Sequence, residues 1–408
     1  MPILGVWMWP ESLIENGVDR TFEMCAHAGV TDVYLLTKGL NGSTIFPYEE
    51  TKQTVPGRDL MREALDAAHT CGMRVQAWFT SAGDAAYAAA HPERALYHYI
   101  NGPHKRIVSI TDCEYQRYMR RIIRHAVKQY DIDGLHLDYI RYNSIICGWS
   151  KEDLARYAAF GVDINRIREI MDRTFVGDKK DDKYIFNCYR RGDRDVRLLS
   201  EARRLNVRVF ANLLTDAARE EKPDITISAA LMPEGAYDDL AFSDLHYGQN
   251  YRDLAGIVDV ALPMAYSRTY NEDEHWVETI TRNTMREGLH TVTGIHAFEG
   301  GTGRSVQKDV SAVMSVDGVD GVCLFREGAT CLAWTESGDV SLYNPTKQEI
   351  TSLIINGKGE KSSFAVSIAG GQMNKLSIPF KPTYIQAFAG DTEVPVYLRH
   401  HHATRRRI

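Results

Sequence analysis

The chain has 408 residues and a formal net charge of −6 at pH 7, with a pI near 6.2. That balance excludes the basic stripe of a nucleic-acid-binding surface, and the length accommodates one large domain plus a smaller one. Seven scattered cysteines without CxxC spacing indicate neither a zinc site nor a disulfide framework. Free thiols fit a reducing compartment, so a cytoplasmic protein is expected, or one whose leader has been removed. No metal, cofactor or membrane is called for, and the pattern specifies no oligomeric state.

Strand-like apolar runs follow one another at residues 3–8, 32–37, 73–80, 133–140, 225–231, 258–266, 291–298 and 321–325. Between the earlier ones lie stretches of helical period, at 17–28, 58–71 and 115–130. Strands alternating with helices build βαβ units and a parallel sheet. Eight such units in about 330 residues match a (β/α)8 barrel with insertions, here assigned to residues 1–330. An open doubly wound sheet is disfavoured, since no Gly-x-Gly-x-x-Gly follows an early strand.

The fourth run is the most informative. In Asp131-Ile-Asp-Gly-Leu-His-Leu-Asp-Tyr-Ile-Arg-Tyr142, side chains of a strand alternate between faces. His136 and Asp138 therefore share one face, and Leu135 and Leu137 the other. An acid and an imidazole facing into a barrel are costly to bury unless paired or wet. The connection that follows, 142–223, is abnormally long, with helical patterns at 151–160, 164–174 and 195–221. Long loops at this position act more often as lids or binding walls than as filler.

Past Cys331 the pattern changes to short alternating runs at 340–343, 350–355, 364–368, 374–378 and 383–388, separated by Gly, Asn and Pro. That is the signature of a small antiparallel β-sandwich, assigned to residues 333–399. Residues 400–408, with three adjacent histidines and three arginines, read as a disordered tail.

A β/α barrel carries its chemistry at the C-terminal ends of its strands. The side chains expected there are Trp7 and Trp9, Lys38, Trp78, then His136, Asp138, Arg141 and Tyr142. The later strands add Glu234, Tyr266, His296, Glu299, Arg326 and Glu327. Metal-assisted hydrolysis on this fold would want His-x-His on the first strand, where this chain has Trp7-Met8-Trp9. Carboxylates among aromatics suit glycoside cleavage, in which one carboxylic acid protonates the leaving oxygen and a second carboxylate attacks or activates water. Asp138 is expected as the nucleophile and Glu234, one strand over, as general acid/base, with retention favoured. Glu299 and Glu327 are the alternatives for the acid. Trp7, Trp9, Lys38, Trp78, His136, Arg141, Tyr142, Tyr266, His296, Glu299, Arg326 and Glu327 are expected to bind an oligosaccharide or glycoside. Arg141 is expected to keep Asp138 ionised, and His136 to hydrogen-bond it.

The stretch Asp133-Gly-Leu-His-Leu-Asp-Tyr-Ile-Arg-Tyr142 resembles the fourth-strand motif of the glycosyl-hydrolase-like family ten proteins. Gly5-Val-Trp7, Asp259-Val-Ala-Leu-Pro-Met-Ala-Tyr266 and, more loosely, Tyr247-Gly-Gln-Asn-Tyr251 look like that family too. The resemblance spans about residues 3–328 and implies a carbohydrate-active (β/α)8 barrel with Asp138 as its key acid. The ending Met232-Pro-Glu-Gly235 departs from the family pattern. An Asp after the fourth strand and a Glu after the fifth is similar to the α-amylase-like barrels, which retain configuration. The fourth strand is also similar to the chitinase pattern Asp-Gly-x-Asp-x-Asp-x-Glu, but His136 and Ile140 stand at its first inner Asp and its catalytic Glu. Two other readings compete with a hydrolase: a catalytically silent saccharide-binding barrel, and a scaffold that uses the sandwich as its interaction module.

Overall fold

The computed structural model describes residues 2–178 and 180–399; the expected tail, 400–408, lies outside the described residues. Eight parallel strands close a barrel in chain order. They are β1 (Ile3–Met8), β2 (Asp32–Lys38), β3 (Arg74–Thr80), β4 (Gly134–Asp138), β5 (Thr226–Leu231), β6 (Val260–Ala265), β7 (His290–His296) and β8 (Gly321–Phe325). The ring closes where β8 pairs with β1, Gly321 opposite Ile3. All eight expected runs are strands. The fourth stops two residues early because Tyr139 takes φ +56°, which turns the chain out of the ladder.

The pleat sorts the side chains. Val6, Val33, Val75, Leu135 and Leu137 face outward into the core shared with the surrounding helices. Trp7, Tyr34, Trp78, Leu262 and Val292 fill the interior, so the barrel is packed rather than hollow. Gly294 makes room for this layer: a Cβ there would lie 2.6 Å from the Trp7 ring. Partly covered Trp9, Leu36, Met264 and Phe325 top the interior cluster and form the apolar floor of the mouth.

The long connection folds as a unit with its own core, including Ile145, Trp149, Tyr157, Ile167 and Leu199. It carries the three expected helices, as Lys151–Ala159, Ile164–Phe175 and Arg194–Arg219, and an unanticipated one, Tyr184–Arg190. Buried Arg203, on the longest of these helices, donates to the carbonyls of Cys147 (2.8 Å), Ser144 (3.0 Å) and His246 (3.2 Å). A second missed element is the hairpin Ala95–His98 with Gly102–Val108. Its polar, His- and Lys-bearing strands lack an apolar alternation, and bridges from Ile107 to Gly83 and from His98 to Cys147 anchor it beside the mouth.

The C-terminal region is a β-sandwich of two four-stranded sheets. Its strands are β9 (Cys331–Glu336), β10 (Asp339–Asn344), β11 (Ile350–Gly357), β12 (Lys361–Ile368), β13 (Gln372–Ser377), β14 (Pro382–Ala389), β15 (Thr392–Val394) and β16 (Val396–Leu398). One sheet runs β13-β10-β9-β16 and the other β12-β11-β14-β15. Pairings are antiparallel except between β9 and β16. Leu332, Trp334, Tyr343 and Tyr397 join the barrel's outer core, and Trp334 stacks on His27 at 5.2 Å. The Gly303 N–H at the start of helix Gly303–Met314 donates to Glu393 at 3.2 Å.

That seam leaves no room for a methyl group, since a Cβ at Gly303 would run into the Ile385 carbonyl. Gly303→Ala is expected to cost about 1–3 kcal/mol of stability through backbone displacement, read from the denaturation midpoint. An unchanged midpoint would mean that the sandwich rests loosely on the barrel.

Candidate active site

The end of β4 is built by the period-2 alternation described above. His136 points inward, where the Trp7 indole donates to its Nε2 at 3.0 Å. An indole N–H can only donate, so Nε2 accepts and the imidazole proton sits on Nδ1, facing Ser228 Oγ at 2.9 Å. Burial lowers the His136 pKa to about 3. His136 is thus a neutral bracket with both nitrogens engaged, and the expected hydrogen bond from His136 to Asp138 is not made.

Asp138 finds other donors. Trp78 Nε1 donates to Oδ2 at 3.1 Å and the Tyr139 N–H to Oδ1 at 2.7 Å. Burial pushes its carboxyl above the ordinary value, opposed by the Arg141 charge and by these two hydrogen bonds. The left-handed turn at Tyr139 costs about 1–3 kcal/mol and brings its ring to 4.9 Å from the Arg141 guanidinium, whose other neighbour is the Tyr247 ring at 5.4 Å.

Glu234 lies in the turn Pro233–Ala236 that follows β5, the strand next to β4. The Tyr270 hydroxyl donates to its Oε1 at 3.2 Å, whereas its buried Oε2 has no partner among the described residues. Burial raises its pKa against its own backbone, Tyr270 and Arg141. One guanidinium, Arg141, therefore acts on both carboxyls. Around Glu234, Tyr270 stacks on Trp276 (5.1 Å between centroids), and the Trp276 indole donates to the Tyr237 hydroxyl at 3.3 Å.

The remaining expected residues divide. Trp78 serves Asp138, and half-buried Tyr266 packs between Phe298 and Phe325 close enough to Asp138 for that charge to raise its phenol pKa, after burial. Trp9 lies under Arg326, 3.7 Å from ring centroid to guanidinium carbon. His296 donates from Nε2 to the Glu299 carbonyl at 3.0 Å, while the Glu299 side chain is exposed. Five expected substrate contacts are corrected, four because protein partners occupy them and one, Glu327, because it is buried with neither carboxyl oxygen hydrogen-bonded among the described residues. Trp7 and His136 hold each other in the interior. Lys38 is fully buried against Asp84 (3.0 Å) and the Gly83 carbonyl (2.8 Å). Tyr142 is roofed by Arg203 at 3.7 Å, and its hydroxyl accepts from Asn206 at 2.9 Å. Glu327 is completely buried near Ser12, Cys25 and Tyr343, behind the mouth.

Sequence reasoning missed Tyr139, Tyr237, Tyr270 and Trp276. The one available signal was the density of Tyr and Trp between residues 237 and 276. Among the described residues no cluster of three His, Cys, Asp or Glu is placed to hold a metal ion, and no helix is long and apolar enough to cross a membrane.

A closed parallel barrel with buried carboxyls at two adjacent strand tips, walled by aromatics, defines a glycoside-hydrolase-like (β/α)8 protein. The family model described as Glycosyl hydrolase-like 10 matches residues 37–286, more than half of the chain, and the chain belongs to that family. Among solved structures it is similar to the PgaB (BpsB) glycoside hydrolase domain from Bordetella bronchiseptica, with a TM-score of 0.64 at 14% identity over 79% of this chain and 94% of that one. It is also similar to a β-galactosidase from the psychrophilic Marinomonas ef1 (TM-score 0.57, 14% identity, 80% of this chain and 54% of that one). A third likeness is to α-L-fucosidase isoenzyme 2 from Paenibacillus thiaminolyticus (TM-score 0.56, 16% identity, 80% and 46%). The chain thus spans about half of the latter two. At these identities the likeness is one of fold. No curated protein sequence matches.

Glu327 offers a direct check on this geometry. Burial pushes its carboxyl up to about 7 from an ordinary 4.5. Between those pH values the folded protein keeps a proton that the unfolded chain has released, so stability falls as pH rises through that window. Glu327→Gln should remove up to about 3 kcal/mol of that fall. It should leave stability near wild type at pH 5 and raise it at pH 8 in urea denaturation. Equal pH slopes for the two proteins would mean that Glu327 is solvated or paired.

Proposed function

We propose that this protein is a glycoside hydrolase in which Asp138 attacks the anomeric carbon and Glu234 serves as general acid/base. The observation that carries the reading is the contrast between the two carboxyls. Each oxygen of Asp138 accepts an N–H, which fixes its orientation and favours its charged form. Glu234 has a buried oxygen without a partner and a pKa raised by burial, the state of an acid ready to donate.

In the first step Asp138 forms a bond to the anomeric carbon while Glu234 gives its proton to the departing oxygen. Glu234 then takes a proton from water, which displaces Asp138 and releases the sugar with its configuration retained. Arg141 limits the rise of both pKa values, and the Tyr270 hydroxyl steers Glu234. Stacking rings such as Tyr237 and Trp276 suit the apolar faces of a sugar.

Asp138→Asn is expected to abolish turnover of aryl glycosides while leaving the melting temperature within a few degrees. Glu234→Ala should lower kcat about 10²–10⁴-fold on substrates with poor leaving groups, less on activated ones, with partial rescue by azide. The pH profile of kcat/KM should lose activity on the acid side as Asp138 protonates and on the alkaline side as Glu234 deprotonates. Both limbs should lie above ordinary carboxyl values, and Glu234→Gln should remove the alkaline limb. NMR of the first-formed anomer tests retention. Wild-type saccharide binding without turnover would replace this reading with the silent binding barrel.

A further inference from the structure

Most cations of this acidic chain that touch a carboxylate do so on the outer surface, as Arg121 does with Glu50 and Arg204 with Asp253. The guanidiniums at the barrel mouth do not. Among the described residues neither Arg106, Arg141 nor Arg326 has a carboxylate within ion-pair distance, and the buried Nε of Arg141 has no hydrogen-bond partner. Arg106 and Arg141 both act on Tyr139, next to Asp138.

Arg326 is the most telling of the three. It follows Phe325, whose ring meets Tyr266 at 5.3 Å, and Tyr266 in turn feels Asp138. The flat face of its guanidinium rests on Trp9, a member of the mouth floor. Its side-chain N–H groups have no acceptor among the described residues. The nearby Glu327 is buried and stays largely protonated below about pH 7, and Glu11 is exposed and out of ion-pair range. A half-buried guanidinium held flat on an indole, with its N–H edge unused, is matched by a planar anion that accepts two parallel hydrogen bonds. A neutral sugar hydroxyl would leave that charge uncompensated.

We infer that the cleft takes an acidic saccharide, whose ring carboxylate is held by Arg326 beside Trp9. The inference rests on the mouth being the saccharide site proposed above and narrows its substrate class to uronic-acid-containing sugars. The cations at the mouth also draw such a ligand toward a protein whose overall charge would repel it.

The test is calorimetric binding to full-length Asp138→Asn protein, using galacturonic and glucuronic acid oligosaccharides, their neutral galactose and glucose counterparts, and sulfated analogues. A uronide is expected to bind at least about tenfold more tightly than its neutral counterpart, with an affinity that weakens as salt is added. Arg326→Gln should remove that preference, bringing the uronide's affinity to that of its neutral counterpart measured on the same variant. Arg326→Lys, which keeps charge but loses the planar fork, should restore only part of it. Melting curves of both variants that match the parent's certify the comparison, and if Arg326→Gln fails to fold, Arg326→Lys alone decides. Equal or better binding of neutral sugars, preference for the sulfated analogues, no binding at all, or a uronide preference that survives loss of the fork would each overturn the inference. Tight uronide binding by a wild-type protein that hydrolyses nothing would leave the inference standing and remove the proposed reaction. Indiscriminate hydrolysis of neutral glycosides would do the reverse.

Discussion

The geometry of the mouth depends on one buried cation. Arg203 is wholly enclosed, no carboxylate among the described residues lies within ion-pair distance of it, and its charge is met by the carbonyls of Ser144, Cys147 and His246 and by the face of Tyr142. A guanidinium taken out of water is costly unless acceptors meet it; here they meet both terminal nitrogens, while the buried Nε has no partner among the described residues. These acceptors belong to the loop after β4 and to the turn 243–247, so the requirement fixes both relative to helix Arg194–Arg219. Arg141 leaves β4 immediately before the first of those segments, and Tyr247 ends the second. The cation that acts on both carboxyls is thus positioned by another cation with no chemistry of its own.

Beneath the mouth the polar groups form a chain with one direction. Trp7 donates to His136, His136 to Ser228, and Ser228 lies 3.5 Å from the Leu135 carbonyl. Because the indole cannot reverse, the imidazole has no site for a second proton. Above it, Asp138 receives only donors, whereas Glu234 keeps one oxygen empty. Two carboxyls with similar burial therefore differ in what surrounds them, and the roles proposed for them rest on that difference.

The barrel was legible because its strands carry a simple code: apolar, short and separated by helical periods, with the inward positions of β4 set by alternation alone. The sandwich was legible from its change of period, although Cys331–Glu336, Thr392–Val394 and Val396–Leu398 escaped. Strand order also put the ends that precede Asp138 and Glu234 on neighbouring strands, β4 and β5. What the sequence did not carry was the direction of side chains one or two residues beyond a strand. Lys38 turns toward Asp84 and Tyr142 toward Arg203, while Glu327 is buried where its charge acts on a sandwich residue, Tyr343; each environment is set by tertiary packing. Tyr270, at the end of the short helix Ser267–Tyr270 after β6, reaches Glu234, and Trp276 stacks on Tyr270 from the next helix; apart from the density of Tyr and Trp there, no local pattern announces that.

The parallel pairing of β9 with β16 places the sandwich's first strand beside its last, and Arg399, just past β16, donates to the carbonyl of His27 at 2.8 Å. The end of helix Val18–His27, between β1 and β2, therefore waits through 372 positions of chain for its cover. Contacts so distant in sequence close slowly. During synthesis the barrel can acquire all eight strands while the seam later covered by Trp334, Tyr343 and Tyr397 stays open, an apolar flank exposed on an otherwise finished barrel. The sandwich is in this sense a built-in shield, and the nascent chain is most prone to association in the interval before its last strand is in place.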